Sequence, residues 1–300
     1  MLISEAYANL MDANISKAHF NGFKLYPDEY KAWCDVRSSK KDYEQEALFG
    51  EVAMPNLVGA GENFPETSFP QGPKRKWTHV KYGHKLVATE ELLGDEKFPV
   101  LVKTASALGV SMKHRMNTQG AYDLNMSFTN STVGASDTAD ETLCDTAHAS
   151  FGDGEDQANR PAVDITLGVG ALWDGMNNFS GLEDREGDPI MKIPRKLIIN
   201  AANERRTIEL LQSAKTPQLA TNEVNAIRNK GLTYEIGHYL TSATAWWLST
   251  EEKSIIFYVR WPVKITAQNL MSNQSREWYI SVRISTGPLD WYDIYGTDGV

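Results

Sequence analysis

A proline- and glycine-rich stretch between two strand-like segments constrains the fold of this chain more than any other feature. From Leu57 to Pro73 the frequent prolines and glycines exclude a helix. The segment EALFGEVAM before it and the segment KWTHVKYGHKLVA after it have the composition of strands. Together they predict a long two-stranded hairpin with a turn-rich tip. Because an isolated hairpin is only marginally stable in water, we expect this one to lie on a partner surface.

The segment ahead of the hairpin, residues 1–42, scatters apolar and aromatic residues among charges without a sustained period. This pattern predicts an arm that needs another surface to pack against. Both the arm and the hairpin carry apolar side chains that neither segment can bury alone. The sequence therefore points to self-association.

The rest of the chain predicts a mixed α+β fold. Apolar residues at steps of three and four predict a helix of about five turns beginning near Pro99. One face of this helix is expected to pack on a sheet, and the other, with Lys113, to face solvent. The segment REWYISVRIS alternates strictly and predicts a strand. The expected inward residues are Leu101, Ala105, Leu108, Met112 and Met116 on the helix, and Trp278, Ile280, Val282 and Ile284 on the strand.

The second half of the chain mixes helix and strand patterns. DITLGVGALWDGMNNFSGL predicts a helix that is capped by Asp164 or Thr166. PRKLIIN predicts a short buried strand, and NERRTIELLQSA predicts another helix. SIIFYVRWPVKI predicts a strand with four apolar side chains on one face, which are Ile255, Phe257, Val259 and Trp261.

Charge and cysteine usage narrow the classes of function. The 300 residues include 30 basic and 39 acidic side chains, and this net charge of −9 argues against a dedicated nucleic-acid binder. Two cysteines without a CxxC pair favour a reducing compartment. No basic leader precedes an apolar core, and no run approaches the ~20 apolar residues of a membrane span. We expect no membrane partner and an assembly site in the cytosol.

The polar run ETLCDTAHASFGDGEDQANRP, residues 141–161, is the stretch that most invites a catalytic interpretation. Cys144 and His148 have the chemistry of a nucleophile and a base, but such a dyad also needs a third group that orients the base. Since the sequence shows no such group, a structural loop is favoured. His79 and His84 fall on opposite faces of a predicted strand and cannot chelate one metal. No catalytic residue, metal site or cofactor is predicted.

A basic cluster, Lys74, Arg75 and Lys76, lies in the predicted hairpin. An exposed cluster of this kind is typical of a solvated patch or of a contact with an acidic neighbour. Trp77 follows it and is expected to anchor the strand. We predict that these four residues belong to a subunit interface.

Several stretches, in their collinear order, resemble the major capsid proteins of tailed bacteriophages, with the Hong Kong 97-type fold, and in particular the Mu-like head-subunit branch. KYGHKLVATEELLGDE is similar to the passage from the extended loop into the long spine helix of that family. LCDTAHASFGDGEDQANRP resembles a family loop in which a histidine precedes a glycine-rich turn and an asparagine. REGDPIMKIPRKLIIN, NERRTIELLQS, HYLTSATAWWL and VRISTGPLDWYDIYGTDG resemble later elements. The likeness covers the chain from about residue 80 onward, and residues 1–80 match in layout.

The resemblance implies five segments. They are an N-terminal arm over residues 1–42, an extended loop over 43–87, a peripheral domain with the spine helix over 88–163, an axial domain over 164–254, and the C-terminal strands of the peripheral domain over 255–300. The extended loop is expected to lie across the next subunit. The axial domain is expected to meet its symmetry mates at the centre of each pentamer or hexamer.

The resemblance also implies a structural function. The chain is expected to self-assemble in the host cytoplasm into an icosahedral shell, the virion capsid, around packaged double-stranded DNA. No long charged N-terminal helix is visible as a fused scaffold, so a separate scaffolding protein is expected, with a portal and a candidate decoration protein. Two alternatives stay open. One is the shell protein of an encapsulin-type nanocompartment, and the other is a small hydrolase that uses Cys144 and His148.

Overall fold

A computed structural model gives the architecture of the chain. It describes residues 5–49, 52, 54, 55, 57–64, 66, 71–89, 91, 92, 98–129, 142–149, 155–184, 186–217, 223–270, 272 and 274–299. The helices are α1 Glu5–Phe23, α2 Phe98–Asn125, α3 Val169–Ser180 and α4 Glu204–Gln212. The strands are β1 Cys34–Ser38, β2 Tyr43–Phe49, β3 Gln71–Thr78, β4 Val80–Thr89, β5 Lys196–Ile199, β6 Thr233–Ile236, β7 Trp246–Ser249, β8 Ile255–Leu270, β9 Ser275–Pro288 and β10 Ile294–Thr297.

The central sheet has the strand order β1-β8-β9-β4. β8 and β9 are long antiparallel neighbours, β4 pairs with β9 along its whole length, and β1 runs parallel to β8. The strand predicted from REWYISVRIS is confirmed, because all four of its predicted inward residues are buried. These are Trp278, Ile280, Val282 and Ile284. They pack in the same two cores as α2, which fixes this side of the sheet as its inner face.

Two β-bulges in β8 change the face on which Trp261 lies. The register with β9 shifts on both sides of this residue. A bulge inserts one extra residue and changes the local alternation of side chains. Trp261 therefore lies opposite Arg283 on the outer face of the sheet, and its predicted position on the same face as Val259 is wrong. Ile255 and Phe257 precede the bulges and are buried as predicted.

The long helix predicted near Pro99 is confirmed, but α2 has 28 residues and exceeds the expected five turns. Its predicted stripe packs inward: Leu101, Ala105, Met112 and Met116 are buried, and Leu108 packs against the same cores. The predicted stripe stops at Met116 because polar residues and one glycine, Gly120, interrupt the apolar repeat in the last turns of the helix. None of the helices that the structure describes is long and apolar enough to cross a membrane.

The second face of α2, which was predicted to face solvent, is covered by α1. Met11 and Ile15 of α1 are buried in a core that also contains residues of α2. Lys113, expected in solvent, is only 4% exposed; it forms an ion pair with Asp28, and its ammonium lies 3.9 Å from the ring centroid of Phe23. The prediction failed because burial of a lysine requires partners that only the folded chain supplies.

The segment between α1 and β1, residues 24–33, runs along the surface of α2. Asn117 donates from Nδ2 to the carbonyl of Pro27 at 3.0 Å, and Trp33 donates from Nε1 to the carbonyl of Gly120 at 2.8 Å. β1 then joins the edge of the central sheet. The segment predicted to be an arm contains a helix and a strand, and both pack on their own chain.

Two glycines allow α1 and α2 to cross with their backbones in contact. A Cβ atom built on Gly22 would lie 2.0 Å from the carbonyl oxygen of Ser106. A Cβ atom built on Gly109 would lie 2.0 Å from the carbonyl oxygen of His19. Because both obstacles are backbone atoms, a side chain at either position has to push the helices apart.

A second sheet, in the order β10-β7-β5-β6, separates two cores. The adjacent tryptophans of β7 show this directly, because the side chains of successive strand residues point to opposite faces. Trp246 is buried in the core formed with α3 and α4, whereas Trp247 is buried in the core formed with α2 and the central sheet. β10 pairs with β7, so the end of the chain returns to this second sheet.

The helix and strand patterns of the second half are confirmed, with a different cap. Leu172, Met176 and Phe179 of α3 are buried together, and PRKLIIN contains β5. The N-cap of α3 is Gly168, and no side chain caps this helix. The prediction of Asp164 or Thr166 as the cap is therefore wrong. Asp164 instead accepts hydrogen bonds from Arg160 and from the hydroxyl of Thr297.

We predict that Gly109→Ala destabilises the chain by about 1–3 kcal/mol, because the new methyl group meets a backbone carbonyl that cannot move without separating the helices. Urea unfolding followed by circular dichroism measures the loss. Gly170→Ala is the matched control: a Cβ atom there meets nothing within 4 Å, and alanine favours a helix by up to about 1 kcal/mol over glycine. Equal free energies of unfolding for the two variants would contradict the close crossing.

Candidate assembly surface

The predicted hairpin exists, and its stem is formed by β2 and β3. The pairing runs from Tyr43 opposite Thr78 to Phe49 opposite Gln71, with one irregularity between Ala47 and Phe49. The segment KWTHVKYGHKLVA is divided between two strands, because β3 ends at Thr78 and β4 begins two residues later. The hairpin therefore ends at Thr78, earlier than the predicted boundary at residue 87.

Trp77 anchors the stem on the outer face of the central sheet. Its side chain is 1% exposed and packs with Ile256, Tyr258 and Leu289 in a small core of its own. Its Nε1 donates to the carbonyl oxygen of Gly287 at 3.1 Å. A buried tryptophan with a satisfied N–H is a strong contact, since the ring removes a large apolar area from water.

His79, between β3 and β4, locks the base of the stem through two serines. Its Nδ1 lies 2.9 Å from the hydroxyl of Ser285 and its Nε2 lies 3.0 Å from the hydroxyl of Ser39. The Ser39 hydroxyl donates to Glu44 at 2.7 Å, so it accepts from Nε2, and Nδ1 then accepts from Ser285. Burial, with the nearby charge of Arg283, lowers the pKa of His79 and keeps the ring neutral.

Ion pairs complete the attachment of the stem. Arg37 of β1 bonds Glu46 of β2 at 3.1 Å and Asp35 at 2.7 Å. Glu46 also accepts a hydrogen bond from the Tyr258 hydroxyl at 2.8 Å. Burial, together with the carboxylate of Glu46, raises the pKa of Tyr258 to about 12, so this hydroxyl stays a donor at any physiological pH. The stem thus leaves the sheet in a fixed direction.

The tip of the hairpin exposes large apolar side chains. Among the described residues, Leu57 is 100% exposed and Phe64 is 84% exposed; Phe49, Val52 and Met54 are also exposed. The turn at the tip is nonetheless ordered by its own bonds: Glu62 donates from its amide to the carbonyl of Gly59 at 3.1 Å and accepts from the Gly59 amide on Oε2 at 2.9 Å. So much exposed apolar surface is typical of an interaction site.

The structure separates the four predicted interface residues into two groups. Lys74 and Lys76 are exposed, and the Lys76 ammonium lies 4.4 Å from the ring centroid of Tyr43. Arg75 is half-buried. Trp77 is buried in its own chain, which makes it the anchor that the sequence also suggested. The intersubunit role of the three basic residues stays a prediction.

Cys144 and His148 are built into the protein interior. Cys144 is fully buried, and this burial raises the pKa of its thiol well above the ordinary value, which disfavours the thiolate that a nucleophile needs. His148 is 2% exposed and stacks on Trp291 with ring centroids 4.3 Å apart. Of the run 141–161, residues 141 and 150–154 lie outside the described part of the chain.

Asn159 is the residue that organises this loop. Its Oδ1 accepts from the amide of Asp145 at 2.8 Å and lies 2.9 Å from Nε2 of His148, while its Nδ2 donates to the carbonyls of Leu143 and Ile294 at 2.9 Å each. Sequence reasoning missed this role, since an asparagine in a polar run gives no sign of burial. Both cysteines are free and buried, and no group of three metal-ligating side chains occurs among the described residues.

Comparison with known proteins identifies the class of fold. The capsid of a native GTA particle superposes with a TM-score of 0.59 at 11% identity, covering 90% of this chain and 90% of that one. A chain of Microbacterium phage Oxtober96 gives a TM-score of 0.53 at 10% identity, with 89% and 90% covered. The procapsid of bacteriophage JBD30 gives 0.53 at 12% identity, with 98% and 76% covered. No curated protein matches the sequence.

The architecture is therefore that of phage shell proteins, and the Hong Kong 97-type fold expected from the sequence is confirmed. A model of the phage capsid protein family matches residues 74–296, and the chain belongs to that family. It is a phage major capsid protein whose copies form the icosahedral shell. The nanocompartment and hydrolase alternatives have no support, and the Mu-like branch stays a prediction.

We predict that Trp77→Ala releases the stem from the sheet and destabilises the chain by about 3–5 kcal/mol, because it empties the centre of a small core and leaves the Gly287 carbonyl without its donor. Urea unfolding measures the loss, and limited proteolysis between β2 and β3 reports the release. Trp77→Phe keeps most of the buried ring and serves as the milder control. Unchanged proteolysis in Trp77→Ala would show that other contacts hold the stem.

We predict that acid weakens the lock at His79. Its pKa is lowered from 6.5 in the folded chain, so the unfolded chain binds more protons below about pH 6.5 and stability falls as the pH drops through this window. His79→Gln cannot titrate. The wild type should therefore lose free energy of unfolding relative to His79→Gln between pH 7.5 and pH 5, measured by urea unfolding at each pH. Parallel pH profiles would contradict this role.

Proposed function

We propose that this capsid protein encloses packaged double-stranded DNA and that the hairpin of β2 and β3 carries a principal contact between subunits. The observation that supports this is the contrast between the two ends of the hairpin. The base is fixed by a buried tryptophan, whereas the tip presents Leu57 and Phe64 to solvent. A fixed base with an apolar far end is suited to contact with a neighbouring molecule, because the anchored stem already has its direction before binding.

Assembly multiplies moderate contacts. A specific interface buries about 1,200–2,000 Å² in total, and closed symmetry repeats it around each pentamer and hexamer. The central sheet with α1 and α2 serves as the peripheral domain, and the second sheet with α3 and α4 serves as the axial domain that meets its symmetry mates. Lys74, Arg75 and Lys76 contribute to the contact from the outer part of the stem.

The remaining partners follow from a container function. A separate scaffolding protein, a portal and a decoration protein complete the assembly, which takes place in the host cytoplasm. The net charge of −9 suits a lining that does not grip phosphate, because a strongly basic wall retains DNA by counterion release. The chain acts as a structural protein and not as an enzyme, in keeping with the buried thiol of Cys144.

The test is assembly of the chain expressed alone and with a scaffolding protein, followed by sedimentation and negative-stain electron microscopy. Hollow shells, or pentamers and hexamers, are the expected products. A monodisperse monomer or dimer under both conditions would overturn the proposal.

We predict that Leu57→Ser combined with Phe64→Ser abolishes shells without changing the free energy of unfolding of the monomer, because both side chains are already in water. Sedimentation measures assembly, and urea unfolding of the unassembled chain measures stability. Val163→Ser combined with Val224→Ser is a matched control, since both valines are 75% exposed elsewhere on the molecule. Intact shells from the tip variant would exclude the tip from the contact.

A further inference from the structure

A buried carboxyl group, that of Asp123, lies at the contact of α2 with the central sheet. Asp123 is 0% exposed and stands two residues before the end of α2. The hydroxyl of Thr286 in β9 donates to its Oδ2, and its Oδ1 has no hydrogen-bond partner among the described residues. An ionised carboxylate can accept about four hydrogen bonds, so a single donor leaves most of this capacity unused. The site therefore suits a neutral carboxyl group better than an ionised one.

No cation pairs with this carboxyl group in the part of the chain that the structure describes. Two lysines of neighbouring elements, Lys196 and Lys253, donate instead to backbone carbonyl oxygens within residues 31–34. The other titratable groups on the elements packed here are Tyr30, Cys34 and Asp35, none of which supplies a positive charge. An ionised Asp123 would therefore stand uncompensated in the interior, which is costly.

Burial without a cation decides the charge of this group. Burial raises the pKa of Asp123 from 3.8 to about 7, and the hydrogen bond from Thr286 offsets only part of this rise. A chain that has opened at this point has the ordinary pKa. Between about pH 4 and pH 7 the closed form keeps a proton that the opened form releases, so the advantage of the closed form is complete below about pH 4 and is lost as the pH rises to 7.

The turn of α2 before Asp123 holds the N-terminal part of the chain. The carbonyl oxygen of Gly120 accepts from Nε1 of Trp33 at 2.8 Å and from Sγ of Cys34 at 3.5 Å. A Cβ atom built on Gly120 would lie 2.1 Å from the Cβ atom of Tyr30, so the segment 24–33 passes directly against the helix. A movement of this turn away from the sheet therefore acts on the segment 24–33 and on β1, which follows it.

We propose that Asp123 is a proton-operated lock between α2 and the central sheet. With the proton bound, the last turns of α2 stay on β9 and hold the segment 24–33. Without it, these turns open toward water and the N-terminal segment loosens with them, because water reaches Oδ1 only when the end of the helix leaves the sheet. The lock acts within one chain, so it goes beyond the proposed function and does not depend on shell formation.

Hydrogen exchange of the α2 amides measures the lock in the full, unassembled chain. After correction for the intrinsic pH dependence of exchange, the protection of residues 117–125 should fall about tenfold per pH unit between pH 5 and pH 7 and level off above pH 7, as expected for release of one proton on opening. Residues 101–108, at the other end of the helix, should show a smaller fall. Asp123→Asn cannot ionise and should abolish the fall in residues 117–125.

Two further variants complete the test. Thr286→Val removes the donor and keeps the shape of the side chain. Since the Thr286 hydroxyl lowers the pKa of Asp123, its loss should move the levelling-off to a higher pH. Asp184→Asn is the matched control, because Asp184 is also buried but accepts from the amides of Glu186 and Asp188. Its pH profile in residues 117–125 should follow the wild type.

Each outcome decides the proposal. An absent fall in the wild type, or an equal fall in both ends of α2, would show that no local opening senses the proton. A fall that survives in Asp123→Asn would assign it to another group. Either result overturns the lock. If Asp123→Asn does not fold, Thr286→Val decides, since levelling-off at an unchanged pH would exclude Asp123.

Discussion

Burial of Trp77 against the outer face of the central sheet is the interaction on which the use of this fold depends. A two-stranded hairpin does not hold a direction in water without support. Here the ring fills a core with Ile256 and Tyr258, and the neutral ring of His79, two residues further along the chain, is hydrogen-bonded to two serines. With the base immobilised, the far end can present apolar side chains at a defined place. Without the burial of Trp77, the hairpin of β2 and β3 has no fixed direction relative to the sheet.

The sequence predicted those elements in which apolar residues recur with a regular period along a single helix or strand. The stripe of α2 and the alternation of β9 belong to this kind, and so does the turn-rich hairpin. Resemblance to a known family then supplied the fold and the function, which the residues alone left open. The failures share a physical cause. Lys113, Trp261 and α1 are placed by neighbours distant in sequence: an ion pair with Asp28, two bulges opposite β9, and a backbone contact through Gly109.

Three buried titratable groups give the fold an acid and a basic limit. His19 is fully buried with both ring nitrogens lacking a partner among the described residues, and burial lowers its pKa to about 4. His19 and His79 therefore cost stability as pH falls below about 6.5. Asp123 has the opposite sign: burial raises its pKa to about 7, so its contribution is lost as pH rises toward neutrality. The fold therefore loses stability as the pH falls, through His19 and His79, and as the pH rises toward neutrality, through Asp123.

An acidic chain can self-associate only where patches of its surface differ from its overall negative charge. Copies that each carry −9 repel one another at long range, and only short-range complementarity overcomes this. The bulges of β8 produce such an exception, because they turn Trp261 outward and gather cations around it. A regular strand would bury this ring in the core and leave the outer face without its aromatic centre. The bulges that made the period-two prediction for Trp261 wrong are therefore the feature that distinguishes this face from the rest of the surface.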